Sequence, residues 1–192
     1  MKKIINFKTK EEVEFTEEDL PILIHGREHS GASLLSITLA VGLHEAGRKL
    51  CIFTAYPMAK EEFLKQVSNP ETVFYIENEE HFEQASKART IILKSGDVDL
   101  FIKAISNTEL MKNRIIFIKN IETISIPIFE KILPYQFIVS GDLELNPSQQ
   151  DFNNFIYKTR ILLSPFQEEI PTLEKYQAFM KNKSGEEIIV VS

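Results

Sequence analysis

Short apolar runs recur along the chain, and the segments between them space their apolar residues three or four apart. The runs at 22–25 (Ile-Leu-Ile-His), 50–54 (Leu-Cys-Ile-Phe-Thr), 73–76, 90–93, 114–118, 137–139 and 161–163 predict buried strands. Residues 33–46 are apolar on nearly all faces, which predicts a buried helix, and Gly47 is its natural stop. Pro57 opens a second helix with Met58, Phe63, Leu64 and Val67 as its stripe. A short polar helix follows at 79–88, then a helix over about 98–110 carrying Val98, Phe101, Ile102 and Ile105. Residues 127–133 read as a short helix or turn, and a terminal helix is expected from Pro171, with Leu173, Tyr176 and Phe179 on its stripe. At the entry, Ile5 and Phe7 alternate with polar residues, as do Val13 and Phe15, which predicts a hairpin over 3–15. Thr16 to Asp19 carry a helix-capping signal. The chain closes on a strand, Ile188 to Val191, after the turn Lys183-Ser184-Gly185. Strands alternating with helices imply an α/β fold, a mainly parallel sheet covered by helices on both faces. No linker or composition break divides residues 1–192, so one domain is expected.

Composition narrows the function classes. The net charge of −6 argues against a sequence-independent grip on nucleic acid. Cys51, the single cysteine, cannot form an internal disulfide and reads as a small core residue. The Lys-rich start lacks an apolar signal core, and no run is long enough to span a bilayer, so the expected location is the cytoplasm.

Chemistry concentrates in one loop. Gly26-Arg27-Glu28-His29-Ser30-Gly31-Ala32-Ser33 follows the phosphate-binding pattern G-x-x-x-x-G-K-[ST] between a strand and a helix, with Ala32 where the lysine belongs. Backbone N–H groups of such a loop converge on phosphate oxygens, and the following helix dipole adds to the attraction. Gly26, Gly31 and the Ser33 hydroxyl preserve those contributions; Ala32 supplies no charge to the outer phosphates. The candidate phosphate-contacting residues are Gly26, Arg27, His29, Ser30, Gly31, Ala32, Ser33 and Leu34. Arg27 and His29 could offset part of the lost charge, although a solvated surface charge is the plainer role for Arg27. His25 and His29 lie four apart across a loop rather than on a helix and have no evident third ligand, so no metal site is expected. His44 and His81 fall in predicted helices without a constellation around them. The segment Ser-Gly-Asp occurs after two strands, at 95–97 and 140–142, which is a cheap local solution for a strand-to-helix turn.

The stretch from Pro21 to about Val67 resembles RecA/KaiC-like ATPases of the P-loop NTPase superfamily. Strand, glycine loop, long buried helix, a turn at Gly47, then a strand ending in Thr54 follow that family's layout. The resemblance implies a three-layer architecture and a second site, an acidic residue at the end of another apolar strand. Two strands compete for that place. Ile91-Ile92-Leu93 leads to Lys94, and Ile115-Ile116-Phe117-Ile118 leads to Lys119 and Asn120, the latter in the style of AAA+ proteins. A lysine therefore stands at the metal-holding position in both alignments. The water-priming acid expected near Ala55 or Tyr56 is missing as well. Lys94, Asp97, Lys119 and Asn120 are the candidate strand-end residues, with Asn120 a sensor-type group or an ordinary turn residue. Asp97, Glu122 and Asp142 could rescue a metal site, but acids at turns and helix starts are the plainer reading.

A catalytically inactive domain follows, with no catalytic residue, metal or cofactor expected. Its role is that of a protein-interaction or regulatory subunit, with a protein partner, a paralogous ATPase or a second copy of the chain. The alternatives are a Mg²⁺-independent binder of ATP or another phosphate ligand, held weakly, and an ATPase with relocated catalytic groups. The closing strand and the entry hairpin are candidate edges for strand pairing.

Overall fold

The computed structural model describes residues 3–6, 8–26, 30–55, 59–142, 157–163 and 177–191. Ten strands form one sheet: β1 (Ile4–Asn6), β2 (Ile22–His25), β3 (Lys49–Thr54), β4 (Val73–Ile76), β5 (Thr90–Leu93), β6 (Arg114–Lys119), β7 (Phe137–Gly141), β8 (Thr159–Leu163), β9 (Gln177–Asn182) and β10 (Gly185–Val191). Their order is β1-β10-β9-β8-β2-β7-β6-β3-β5-β4. Strands β8 through β4 in that order run parallel, while β9, β10 and β1 extend the sheet antiparallel. The architecture is therefore the expected α/β one, a mostly parallel sheet with helices on both faces.

Six α-helices are described: α1 (Ala32–Glu45), α2 (Ala59–Leu64), α3 (Phe82–Ala85), α4 (Val98–Ser106), α5 (Thr108–Met111) and α6 (Ile126–Glu130). Strand side chains alternate between faces, and two apolar clusters follow from that alternation. Leu50, Ile52, Ile115, Phe117 and Ile138 pack with α1 and with Phe63 of α2. Cys51, Phe53, Ile116, Ile118, Phe137 and Val139 pack on the other face, with Leu100 and Phe101 of α4, Leu110 of α5 and Phe129 of α6. The Cys51 thiol is fully buried there, and desolvation pushes its pKa up to about 12.

The structure corrects several expectations. Phe179 lies on β9 and not on a helix: Ala178 and Met180 are buried while Lys181 is exposed, a period of two that suits a strand between β8 and β10. Pro171, Leu173 and Tyr176 lie outside the described residues, as do Phe7, Pro57 and Met58. The helix expected over 98–110 is two helices, because the Asn107 side chain accepts from the Leu110 N–H at 3.0 Å and starts α5. At the entry, β1 pairs with β10, while the Asn6 N–H donates to the Glu11 carbonyl and the Val13 N–H to the Ile4 carbonyl across a bridge from Ile5 to Glu12. Strand β10 is thus interior to the sheet where β1 covers Ile189, Val190 and Val191; β1 and β4 are the outermost strands.

Candidate functional site

The parallel strands β2, β7, β6, β3 and β5 all end on one side of the sheet, and the glycine loop leaves from β2 there. Gly26 is buried, and a Cβ on it would meet the Ser30 Oγ at 2.5 Å, the Ala32 Cβ at 3.1 Å and the Leu163 Cβ at 3.1 Å. A side chain at 26 would push the Ser30 hydroxyl aside and crowd Ala32 and Leu163, which favours glycine there. Gly31 closes the loop with φ +96° and serves as the N-cap of α1, and no side chain caps the helix. Its backbone N–H groups are consequently presented toward the strand ends. The Ala32 N–H makes a long bond to the Ser30 Oγ at 3.4 Å, and the Ala32 carbonyl accepts from the Ser36 hydroxyl at 2.6 Å. Ala32 is half-buried at the first helical position, Ser33 is exposed and Leu34 is half-buried. Arg27 and His29 lie outside the described residues.

His25 turns to the face opposite α1, continuing the alternation of Leu23. Its Nδ1 is 3.2 Å from the Gly141 carbonyl, which also accepts from the Gly26 N–H at 3.2 Å. A carbonyl can only accept, so Nδ1 carries the proton and the ring ties β2 to β7.

The strand order decides between the two strand-end lysines. Strand β6 is second from β2, whereas β5 is fourth. At about 4.8 Å per strand, the end of β6 lies roughly 10 Å from the loop strand and that of β5 roughly 19 Å. Lys94 approaches Asp97 at 4.0 Å, and Asp97 caps α4 by accepting from the Leu100 N–H at 3.0 Å. Both therefore belong to the α4 entrance, away from the loop. Lys119 belongs to the loop's neighbourhood.

Register places Lys119 further. It pairs with Thr54 on one side and Ser140 on the other. Thr54 continues the alternation of Leu50 and Ile52, Lys119 that of Ile115 and Phe117, and Ser140 that of Ile138, so all three side chains point to the α1 face. A polar row thus runs along the strand ends toward the glycine loop. Ser140 is 2% exposed and Thr54 1%. Burial pulls the Lys119 pKa below its ordinary value, and the charge of Glu62 on α2 opposes that shift.

Asn120 adopts the left-handed conformation at φ +66° immediately after β6, which Asn tolerates better than most residues. The Thr54 hydroxyl faces its Oδ1 at 3.5 Å, and its Nδ2 donates to Glu122 Oε1 at 3.2 Å. Glu122 Oε2 accepts from the Asp142 N–H at 3.2 Å. Asn120 thus bridges the ends of β3 and β6 and reaches the end of β7 through Glu122. Strand β6 does not adjoin the loop strand; β7 lies between them, and its polar end residue is Ser140, which sequence reasoning did not single out as a site residue. The repeated Ser-Gly-Asp was the signal that marked it. Among the described residues, no three His, Cys, Asp or Glu side chains gather as a metal site.

No protein-family model and no curated protein matches the sequence. Solved structures do match the fold. The genome packaging NTPase B204 of Sulfolobus turreted icosahedral virus 2, in complex with AMP, superimposes with a TM-score of 0.63 at 13% identity, over 92% of this chain and 98% of that one. The flagellar accessory protein FlaH of Methanocaldococcus jannaschii gives 0.55 at 14% identity, over 89% and 88%. The EssC segment holding ATPases 2 and 3 from Geobacillus thermodenitrificans gives 0.58 at 12% identity, over 98% of this chain and 43% of that one. At these identities the likeness establishes the fold, that of RecA-like P-loop ATPases.

Proposed function

We propose that the chain is a single P-loop domain without nucleotide hydrolysis, acting as a protein-interaction or regulatory subunit beside a protein partner, a paralogous ATPase in particular. One observation carries the reading: Ala32 opens α1 where the loop pattern has a lysine, while Lys119 ends β6, the nearer to the loop of the two lysine-ended strands, on the α1 face. The positive group that would hold outer phosphates is missing, and the place for a metal-holding acid is cationic. A lysine there repels Mg²⁺. Structural neighbours have been solved with AMP and with ATP-gammaS, so the fold itself can present a nucleotide site. What this chain lacks is the charge pattern that would turn such a site toward hydrolysis. The fold alone does not certify the chemistry.

A phosphate-release assay on the purified chain with ATP and Mg²⁺ tests the reading, with Ser33→Ala as control. The natural chain and the variant are expected at the same background rate. Turnover that falls in Ser33→Ala would refute it.

A further inference from the structure

The two outer strands of the sheet end it differently. On β1 the outward main-chain groups are those of Ile4 and Asn6, and the entry segment takes them up. The Val13 N–H donates to the Ile4 carbonyl at 2.9 Å, the Asn6 N–H to the Glu11 carbonyl at 2.9 Å, and the Lys10 N–H to the Asn6 carbonyl at 3.0 Å. Strand β4 has no such cover. The Ile76 carbonyl accepts from the Lys94 N–H at 2.8 Å, so Phe74 and Ile76 turn their main-chain groups to β5, while Val73 and Tyr75 turn theirs outward. At the ends of that edge the chain caps itself: the Val73 N–H donates to the Pro70 carbonyl, and the Glu77 N–H to His81 Nδ1 at 3.4 Å. Between these caps the Val73 carbonyl and both main-chain groups of Tyr75 have no partner among the described residues. Natural edges are blunted by Lys, Pro or a bulge within the strand. Val73–Ile76 carry none of these, and their pairing to β5 runs without interruption. Phe74 is half-buried on the α4 face, with its ring edge-on to His81. Tyr75 is half-buried on the α1 face, with the Lys60 ammonium 4.0 Å from its ring centre. A strand laid along this edge would cover both aromatics and meet the open main-chain groups.

We propose that the free edge of β4 takes up an extended segment of a partner protein as a further strand, a short run of β-branched residues with Lys or Arg at its flanks. The inference deepens the protein-interaction reading and rests on it. Charge selects the flanks. Glu71 and Glu77 bracket the strand and Glu80 follows; all three are exposed and make no ion pair among the described residues. Glu79 is already paired with Lys103 at 3.1 Å. Lys60 is occupied over Tyr75, and Arg89 lies one strand inward, before β5. The edge therefore presents net negative charge to whatever lies along it, which favours a basic segment. A second copy of the chain fits less well. It brings the same acids to the same edge, in either strand direction. A contact built on a four-residue strand also falls short of the ~1,200 Å² that stable interfaces bury. In strand addition the main chain supplies the bonds and side chains on alternate faces supply the selectivity, here Tyr75 on one face and Phe74 on the other.

Calorimetry of the full chain at low salt tests it, with a short synthetic peptide of alternating valine and threonine between lysine pairs as the probe. The same peptide with glutamate pairs should bind about fivefold more weakly, and the difference should shrink at high salt. Glu71→Lys/Glu77→Lys should reverse the preference. Tyr75→Pro removes the outward amide without touching the β5 ladder and should cost about tenfold, whereas Tyr75→Ala keeps the amide and should cost less. Exchange of the Tyr75 amide hydrogen should slow about tenfold on saturation with the lysine peptide. Should Tyr75→Pro fail to fold, the charge reversal and the exchange rate still decide the matter. No binding at about 1 mM peptide, equal losses in folded Tyr75→Pro and Tyr75→Ala, or a preference that Glu71→Lys/Glu77→Lys leaves unchanged would overturn the proposal. So would a concentration-dependent dimer that Tyr75→Pro abolishes, which would give the edge to a second copy. Those results would leave the non-hydrolysing reading standing, since phosphate release is measured separately; turnover with Mg²⁺ would overturn that reading and leave the peptide binding as measured.

Discussion

His44 shows how a titratable residue can be wholly structural. It is fully buried at the end of α1, with its ring set edge-on against Phe63. The Thr72 hydroxyl donates to the Asn69 carbonyl at 2.7 Å, so its oxygen can only accept from His44 Nε2, 3.2 Å away. Nε2 therefore carries the proton, and Nδ1 accepts from the Thr90 hydroxyl at 2.8 Å. Both nitrogens are satisfied in the neutral ring. Burial, and then the nearby Arg89 charge, lower the pKa from its ordinary 6.5. The unfolded chain thus takes up this proton at a higher pH than the folded one. The consequence is that stability is full above about pH 6.5 and falls as the pH drops below it. Melting the chain between pH 7 and pH 5 should show that fall. His44→Met should be less stable at pH 7 but flatter over this interval, and an unaltered slope in the variant would assign the acid sensitivity elsewhere.

At the scale of elements, Arg114 joins more of the fold than any other side chain described. It opens β6, is 3% exposed, and donates only to main-chain carbonyls. Nε reaches Leu110 O at 2.6 Å; Nη1 reaches Leu50 O and Arg89 O; Nη2 reaches Ala85 O, Ser86 O and Ala88 O. The guanidinium thereby satisfies carbonyls at the ends of α3 and α5 and fastens β3 to β6. Replacing it with Met should cost about 3–5 kcal/mol, because a set of buried carbonyls loses its donors at once. Lys, with a compact ammonium, should recover only part of that; equilibrium denaturation of both variants measures it. Nothing in the sequence marked this residue, since an Arg before an apolar run reads as a solvated strand end. The strands themselves were legible, because residues 50–53, 115–118 and 137–139 are buried on both faces and apolar throughout. β9 was not legible: Phe179 falls at a helical spacing from Leu173 and Tyr176, and the alternation that reveals a strand rests on Ala178 and Met180 alone. The glycine loop was readable as a motif. Which lysine stands near it was not, because sequence order does not give strand order, and β5 and β6 end in the same way.

For the whole molecule, the sheet both separates and couples two cores. Strands β2, β3, β5, β6 and β7 feed both: on β6, Ile115 and Phe117 serve the α1 side, and Ile116 and Ile118 the α4 side. Losing the sheet therefore removes both cores together, which predicts one cooperative transition rather than two. Small packing defects should behave differently. Ile37 on α1 and Ile105 on α4 are buried in opposite layers with the sheet between them. Side chains that far apart share no neighbour, so their perturbations should not sense each other. Ile37→Val and Ile105→Val should each cost about 1 kcal/mol, and the double variant should lose their sum to within roughly 0.5 kcal/mol, in a single transition by denaturant. An excess beyond that margin would mean that the parallel strands transmit packing strain from one face to the other. The polar row of Thr54, Lys119 and Ser140 would then respond to defects in the α4 layer as well as to those beneath α1.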